Sequence, residues 1–102
     1  MVVFLYRWRI KPEKEAQFIE AWSEITAYYR EHFDSLGSRL HRDDDGIFYA
    51  YAQWESVEQR ENAFQNSPKS EAGERMREAI EESFEEVRLE IVSDYLITKK
   101  KY

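Results

Sequence analysis

Two basic side chains, Arg39 and His41, stand two residues apart in the run Ser38 to Arg42. In a strand that spacing puts both on one face. An imidazole titrates near neutral pH and can take a proton; a guanidinium can hold the anion left behind. The pair therefore suits chemistry on an acidic hydroxyl. The same alternation places it either at a ligand pocket or at a surface shared with a second copy, where Arg39 would pair with Asp94 or Glu90. Arg7 and Arg9 read first as interface or rim charges and second as ligand contacts.

Other chemistries are excluded by what the chain lacks. It has no cysteine, so disulfides, thiol catalysis and thiolate metal sites fall away. The run Asp43-Asp44-Asp45-Gly46 lacks the spaced ligands and closing Glu of a calcium loop. It reads as a turn, and no metal site is expected. No Gly-rich phosphate loop or nucleophile motif is present. The formal net charge of −6 opposes nucleic-acid binding, which needs a basic face. No apolar run approaches the ~20 residues of a membrane span, so no membrane partner is expected. The apolar start, Met1 to Tyr6, is too short for a signal-peptide core, and the expected location is the cytoplasm.

Aromatic residues make up 16% of the 102-residue chain. Tyr6, Trp8, Trp22, Tyr49, Tyr51, Trp54 and Phe64 could wall a pocket for a flat apolar molecule. Plain core packing is the competing role for each.

These residues need elements to position them. Val2 to Ile10 alternates as a strand, with Phe4, Tyr6, Trp8 and Ile10 on one face and Val3, Leu5, Arg7 and Arg9 on the other. Pro12 opens a helix, where its missing N–H costs nothing. Phe18, Trp22, Ile25 and Tyr29 give it an apolar stripe to about His32. Asp34 to Gly37 ends it. Ser38 to Arg42 and Ile47 to Trp54 form a hairpin around Asp43–Gly46. Ser56 caps a short helix, with Gln59 three residues on. Ser70 caps another, striped by Met76, Ile80 and Phe84. Val87 to Lys99 reads as a long last strand, alternating through Leu89, Ile91, Ser93, Tyr95 and Ile97.

The order β-α-β-β-α(α)-β predicts an α+β, ferredoxin-like fold with a four-stranded antiparallel sheet. One domain spans residues 1–98, and 99–102 form a short basic tail. Helices cover only one face of such a sheet. Ile47, Tyr49 and Tyr51 load the other face, so a second copy of the sheet is expected to cover it. The expected assembly is a homodimer.

With the elements placed, three phrases resemble the antibiotic biosynthesis monooxygenase family. They are Trp8-Arg9-Ile10-Lys11-Pro12-Glu13-Lys14-Glu15-Ala16-Gln17-Phe18, Leu36-Gly37-Ser38-Arg39-Leu40-His41-Arg42, and Tyr51-Ala52-Gln53-Trp54-Glu55-Ser56 with Ser67-Pro68 beyond. The resemblance implies a dimeric α/β barrel, two sheets face to face with helices outside and a pocket in each subunit between sheet and helices. It implies a cofactor-independent monooxygenase that oxidises a small aromatic or quinol-like substrate with O₂. It also makes Asn62 the sharpest polar candidate, an amide able to hold a substrate oxygen or O₂, beside His41 as base and Arg39 as anion partner. Related members degrade haem, using an Asn on the first strand and a His on the later helix. This chain has Tyr6 at about the first place and no His from Glu71 to Glu82. The expected cofactor is therefore none. The alternative function is a non-catalytic small-molecule-binding or regulatory homodimer of the same fold.

Overall fold

A computed structural model gives the fold of residues 1–97, the residues described here. The anticipated tail, 99–102, lies outside them.

Strand β1 (Val2–Ile10) is the spine of the sheet. A 3-10 turn at Pro12–Lys14 leads into helix α1 (Glu15–Phe33). The helix stops at Asp34, which is left-handed with φ 57° and sends its backbone N–H back to the Tyr29 carbonyl. Strands β2 (Ser38–Arg42) and β3 (Ile47–Trp54) follow as a hairpin. Helix α2 (Val57–Asn66) is capped as its sequence requires. The Ser56 hydroxyl accepts from the Gln59 N–H at 3.0 Å, and Gln59 Oε1 accepts from the Glu55 N–H at 2.9 Å. Helix α3 (Glu71–Ala79) is capped by Ser70.

The sheet order is β2-β3-β1-β4, with β5 also on β1, and every pairing is antiparallel. This is the ferredoxin-like arrangement of an α+β protein. The last strand departs from its expected span. It starts earlier, as β4 (Ile80–Ser83) against Trp8–Ile10, and resumes as β5 (Val87–Glu90) against Val2–Leu5. The third helix accordingly ends at Ala79, not near Phe84. Ile80 continues the apolar stripe, but it is β-branched and faces Ile10 across the sheet, so strand pairing wins over helix period. The strand also ends early. The register ends with Val2 opposite Glu90, and residues 91–97 lie outside the sheet.

The helices cover one face of the sheet. Phe18, fully buried, meets the rings of Trp8 and Phe48 edge-on at 5.2 and 5.4 Å. Ile10, Ala50 and Ala79 complete this cluster. Phe4, Trp54 and Ala63 form a second one nearer α2. The hairpin is set by Asp43. Its carboxylate accepts from the N–H groups of Asp45 and Ile47, each at 2.9 Å, and from the Tyr49 hydroxyl at 2.8 Å. Those bonds, Ile47 first and Tyr49 second, hold its pKa below the ordinary 3.8. The acidic run is thus a turn lock, as its composition suggested.

Two outcomes follow. Phe18→Ala should lower the unfolding free energy by about 3–5 kcal/mol in denaturant titration. Asp43→Ala should lower stability at neutral pH, because a depressed folded pKa contributes stability above the unfolded value. That difference should shrink as pH falls through the folded pKa of Asp43. An unchanged gap between wild type and variant across an acid series of thermal melts would contradict the assignment.

Candidate functional site

The alternation of β3 runs large, small, small, large on its inner face: Phe48, Ala50, Ala52, Trp54. Ala50 and Ala52 lie opposite Tyr6 and Phe4 of β1. Two methyl groups in mid-strand leave a gap between the sheet and α1 that Phe48 and Trp54 bracket. A cavity of about 220 Å³ fills that gap. Tyr6, Trp8, Trp22, Trp54 and Phe64 line it. Ile25, Thr26 and Tyr29 of α1 and Met76 of α3 complete the wall. Phe64 is 44% exposed and belongs to the rim.

The cavity is apolar with a few polar groups, the composition that orients a small ligand. One of these is unengaged. The Ser38 hydroxyl is buried and finds no hydrogen-bond partner among the described residues. Ser38 lies beside Ala52 in the register and borders the cavity. A buried hydroxyl left unpaired costs about 1–3 kcal/mol, which a ligand oxygen can recover.

Behind Tyr6 lies a charged cluster. Arg60 of α2 is buried, and its guanidinium stacks 3.6 Å from the centre of the Phe4 ring and 4.9 Å from that of Phe64. Its Nη1 donates at 2.8 Å to both the Tyr6 hydroxyl and Glu86 Oε2. Nη2 donates to Glu61 at 2.9 Å and Glu86 Oε1 at 3.3 Å. Burial works against the arginine's charge, but Glu86 and Tyr6 more than offset it, and its pKa ends above the ordinary value. Burial pushes the Tyr6 phenol up; Arg60 pulls it down, Glu86 adds to the rise, and the net shift is upward. Tyr6 is therefore a neutral phenol at pH 7.

The remaining sequence candidates lie elsewhere. Arg39, His41, Tyr49 and Tyr51 share the outer sheet face, away from the helices. Tyr49 is engaged with Asp43, and Tyr51 borders an outer groove with Arg39 and His41. Their positions correct the pocket assignment of the two tyrosines: in β3 the inner residues are Phe48, Ala50, Ala52 and Trp54, so the odd-numbered ones must face out. Asn62 is exposed on α2, where its backbone and side-chain oxygens both accept from Asn66 Nδ2, at 2.8 and 2.9 Å. It does not border the cavity. Arg60, two residues earlier, does face inward, on the side of Ala63 and Phe64. That i, i+3, i+4 spacing was the available signal for it. Nothing in the sequence pattern announced Glu86, which is brought to Arg60 by the break between β4 and β5. Among the described residues, no group of three or more acidic or histidine side chains could hold a metal ion.

This geometry meets an independent likeness in sequence. Residues 1–79 match the model of the antibiotic biosynthesis monooxygenase family. The chain belongs to that family. SnoaB, a cofactor-independent oxygenase from Streptomyces nogalater solved as a single-residue mutant, superposes with a TM-score of 0.77 at 17% identity, over 92% of this chain and 95% of that one. A candidate family member from Deinococcus radiodurans gives 0.73 at 14% identity, over 97% and 100%. Another from Caulobacter crescentus gives 0.74 at 15%, over 90% of each chain. At such identities the likeness is one of fold. No protein of curated function matches the sequence.

Arg60→Leu should lower the unfolding free energy by about 2 kcal/mol, less than the ~3–5 of a fully buried pair because Glu86 is partly solvated. Asn62→Ala should stay within about 0.5 kcal/mol of wild type. Paired denaturant titrations separate the two.

Proposed function

We propose that this protein is a cofactor-independent monooxygenase acting on a small aromatic phenol or quinol. The observation that carries the reading is the cavity: about 220 Å³, walled by Trp8, Trp22 and Trp54, with an unpaired Ser38 hydroxyl at its edge. Its volume lies below the ~300–1,000 Å³ of pockets for drug-sized ligands, so the fitting substrate has one or two rings. In such chemistry the ionised substrate supplies the electrons. A phenol and O₂ give a quinone and water, one oxygen atom ending in each product. The protein's part is to bind the ring, favour loss of its proton and exclude water. Tyr6 and Ser38 are the polar groups best placed to meet the substrate's oxygens. His41, Arg39 and Asn62 enter only as comparison positions, because none of them borders the cavity.

The functional unit in this proposal is a homodimer in the cytoplasm. The segment from Ile91 leaves the sheet and borders the groove over Arg39, His41 and Tyr51. Along it, Val92, Tyr95, Leu96 and Ile97 are 88, 92, 77 and 82% exposed. Four large exposed apolar side chains beside the outer sheet face are covered most simply by a second copy.

Oxygen uptake with one-ring and two-ring hydroquinones and naphthols tests the activity. Wild type should consume O₂, and Ala52→Leu, which fills the cavity, should cut kcat/KM at least tenfold, while Asn62→Ala and His41→Ala leave it within twofold. Saturable binding without uptake across the panel would instead favour the non-catalytic small-molecule-binding dimer. Light scattering after size exclusion should give a dimer at micromolar concentration; a monomer would contradict the assembly.

A further inference from the structure

The cavity wall and the charged cluster share one residue. Tyr6 lines the cavity, and its hydroxyl is held by the Arg60 nitrogen that also holds Glu86. Glu86 is 43% exposed, so the far end of this chain of groups reaches water. A buried guanidinium therefore holds a cavity phenol and a solvated carboxylate on the same nitrogen.

We propose that Tyr6 and Glu86 form a proton exit from the cavity, with Arg60 as the residue that positions both. The inference rests on the cavity being a phenol or quinol site. In the transfer, the substrate O–H bond breaks and its proton goes to Tyr6 Oη. The Tyr6 O–H bond breaks in the same event, and that proton goes to a Glu86 carboxylate oxygen. Tyr6 is neutral before and after. The negative charge passes from Glu86 to the substrate oxygen, and Glu86 then releases the proton to water. No electrons move in this step. Tyr6, which holds its proton at neutral pH, acts by exchanging one proton for another rather than by ionising. The guanidinium keeps a positive charge beside the new phenolate, where burial makes that charge count.

The groups around the path are few. Arg60 and Glu61 come from α2, and Glu86 from the connection between β4 and β5. Tyr29 of α1 is the other ionisable group on the cavity wall, and its hydroxyl is paired with Ser67 Oγ at 3.2 Å. Among the described residues, no carboxylate or imidazole lines the cavity itself. Among the described residues, Tyr6 is thus the one cavity residue bonded to a group that also holds a solvated carboxylate.

The test uses 4-nitrophenol, a one-ring phenol whose ionisation is visible by absorbance, with no oxygen chemistry involved. The probe is bound to the full-length protein in dilute buffer, and its ionisation is followed after a rapid upward pH jump. Glu86→Gln should slow ionisation of the bound probe at least tenfold. The same variant should not lower the fraction ionised at equilibrium, because it removes a like charge. Tyr6→Phe should reduce both the rate and the equilibrium fraction. A purely structural role for Glu86 would move rate and equilibrium together, or neither. Equal rates in wild type and Glu86→Gln would overturn the relay while leaving the cavity assignment intact. Failure of the probe to bind wild type would overturn both. A working relay in a protein that takes up no O₂ would retire the oxygenase reading alone.

Discussion

Nearly every feature of this molecule is anchored on β1, a nine-residue strand paired along both edges. One edge takes β3 over almost its whole length, and the other takes β4 and then β5. Backbone hydrogen bonding therefore places β1 in the middle of the sheet, and its inner side chains beneath the helices. Phe4, Tyr6, Trp8 and Ile10 then have distinct fates set by what lies opposite. Trp8 and Ile10 meet Phe18, Phe48 and Ala79 and become core. Phe4 becomes the platform for a buried arginine. Tyr6, facing Ala50, is left beside empty space. The site is the part of the sheet where neighbouring strands supply methyl groups instead of rings.

The buried guanidinium is the second organising feature. A charge is costly to bury unless its donors are satisfied and it is well paired. Arg60 has two aromatic faces beside it and three hydroxyl or carboxylate partners on its terminal nitrogens, while its Nε–H finds none among the described residues. Those contacts hold α2, β1 and the β4–β5 connection in one arrangement. They also leave Tyr6 restrained at the cavity wall. Stability and site geometry are therefore coupled through one side chain.

Much of this was legible from residue order. Apolar alternation located β1 and β3, the serines located two helix starts, and the aspartate run located the hairpin. Aromatic residues of β1, α1 and α2 border a cavity in the structure. Tyr49 and Tyr51 were not separable from them, because both faces of β3 are apolar and alternation alone does not say which face meets the helices. Asn62 was attractive by chemistry, yet a helix turns 100° per residue, so two positions separate an inward Arg60 from an outward Asn62. The split of the last strand falls opposite Tyr6 and Arg7 in mid-β1, between the pairs Trp8 with Ser83 and Leu5 with Val87, and the role of Glu86 depends on that split. Such tertiary consequences have no local signature.

All three tryptophans of the chain, Trp8, Trp22 and Trp54, border the cavity. Intrinsic fluorescence therefore reads its occupancy directly. Titration with 1-naphthol, monitored at tryptophan emission with inner-filter correction, should give saturable quenching of most of the signal, and Ala52→Leu should abolish saturation. Quenching that rises linearly with ligand and is the same in Ala52→Leu would contradict the claim that this cavity is a binding site for small aromatic phenols.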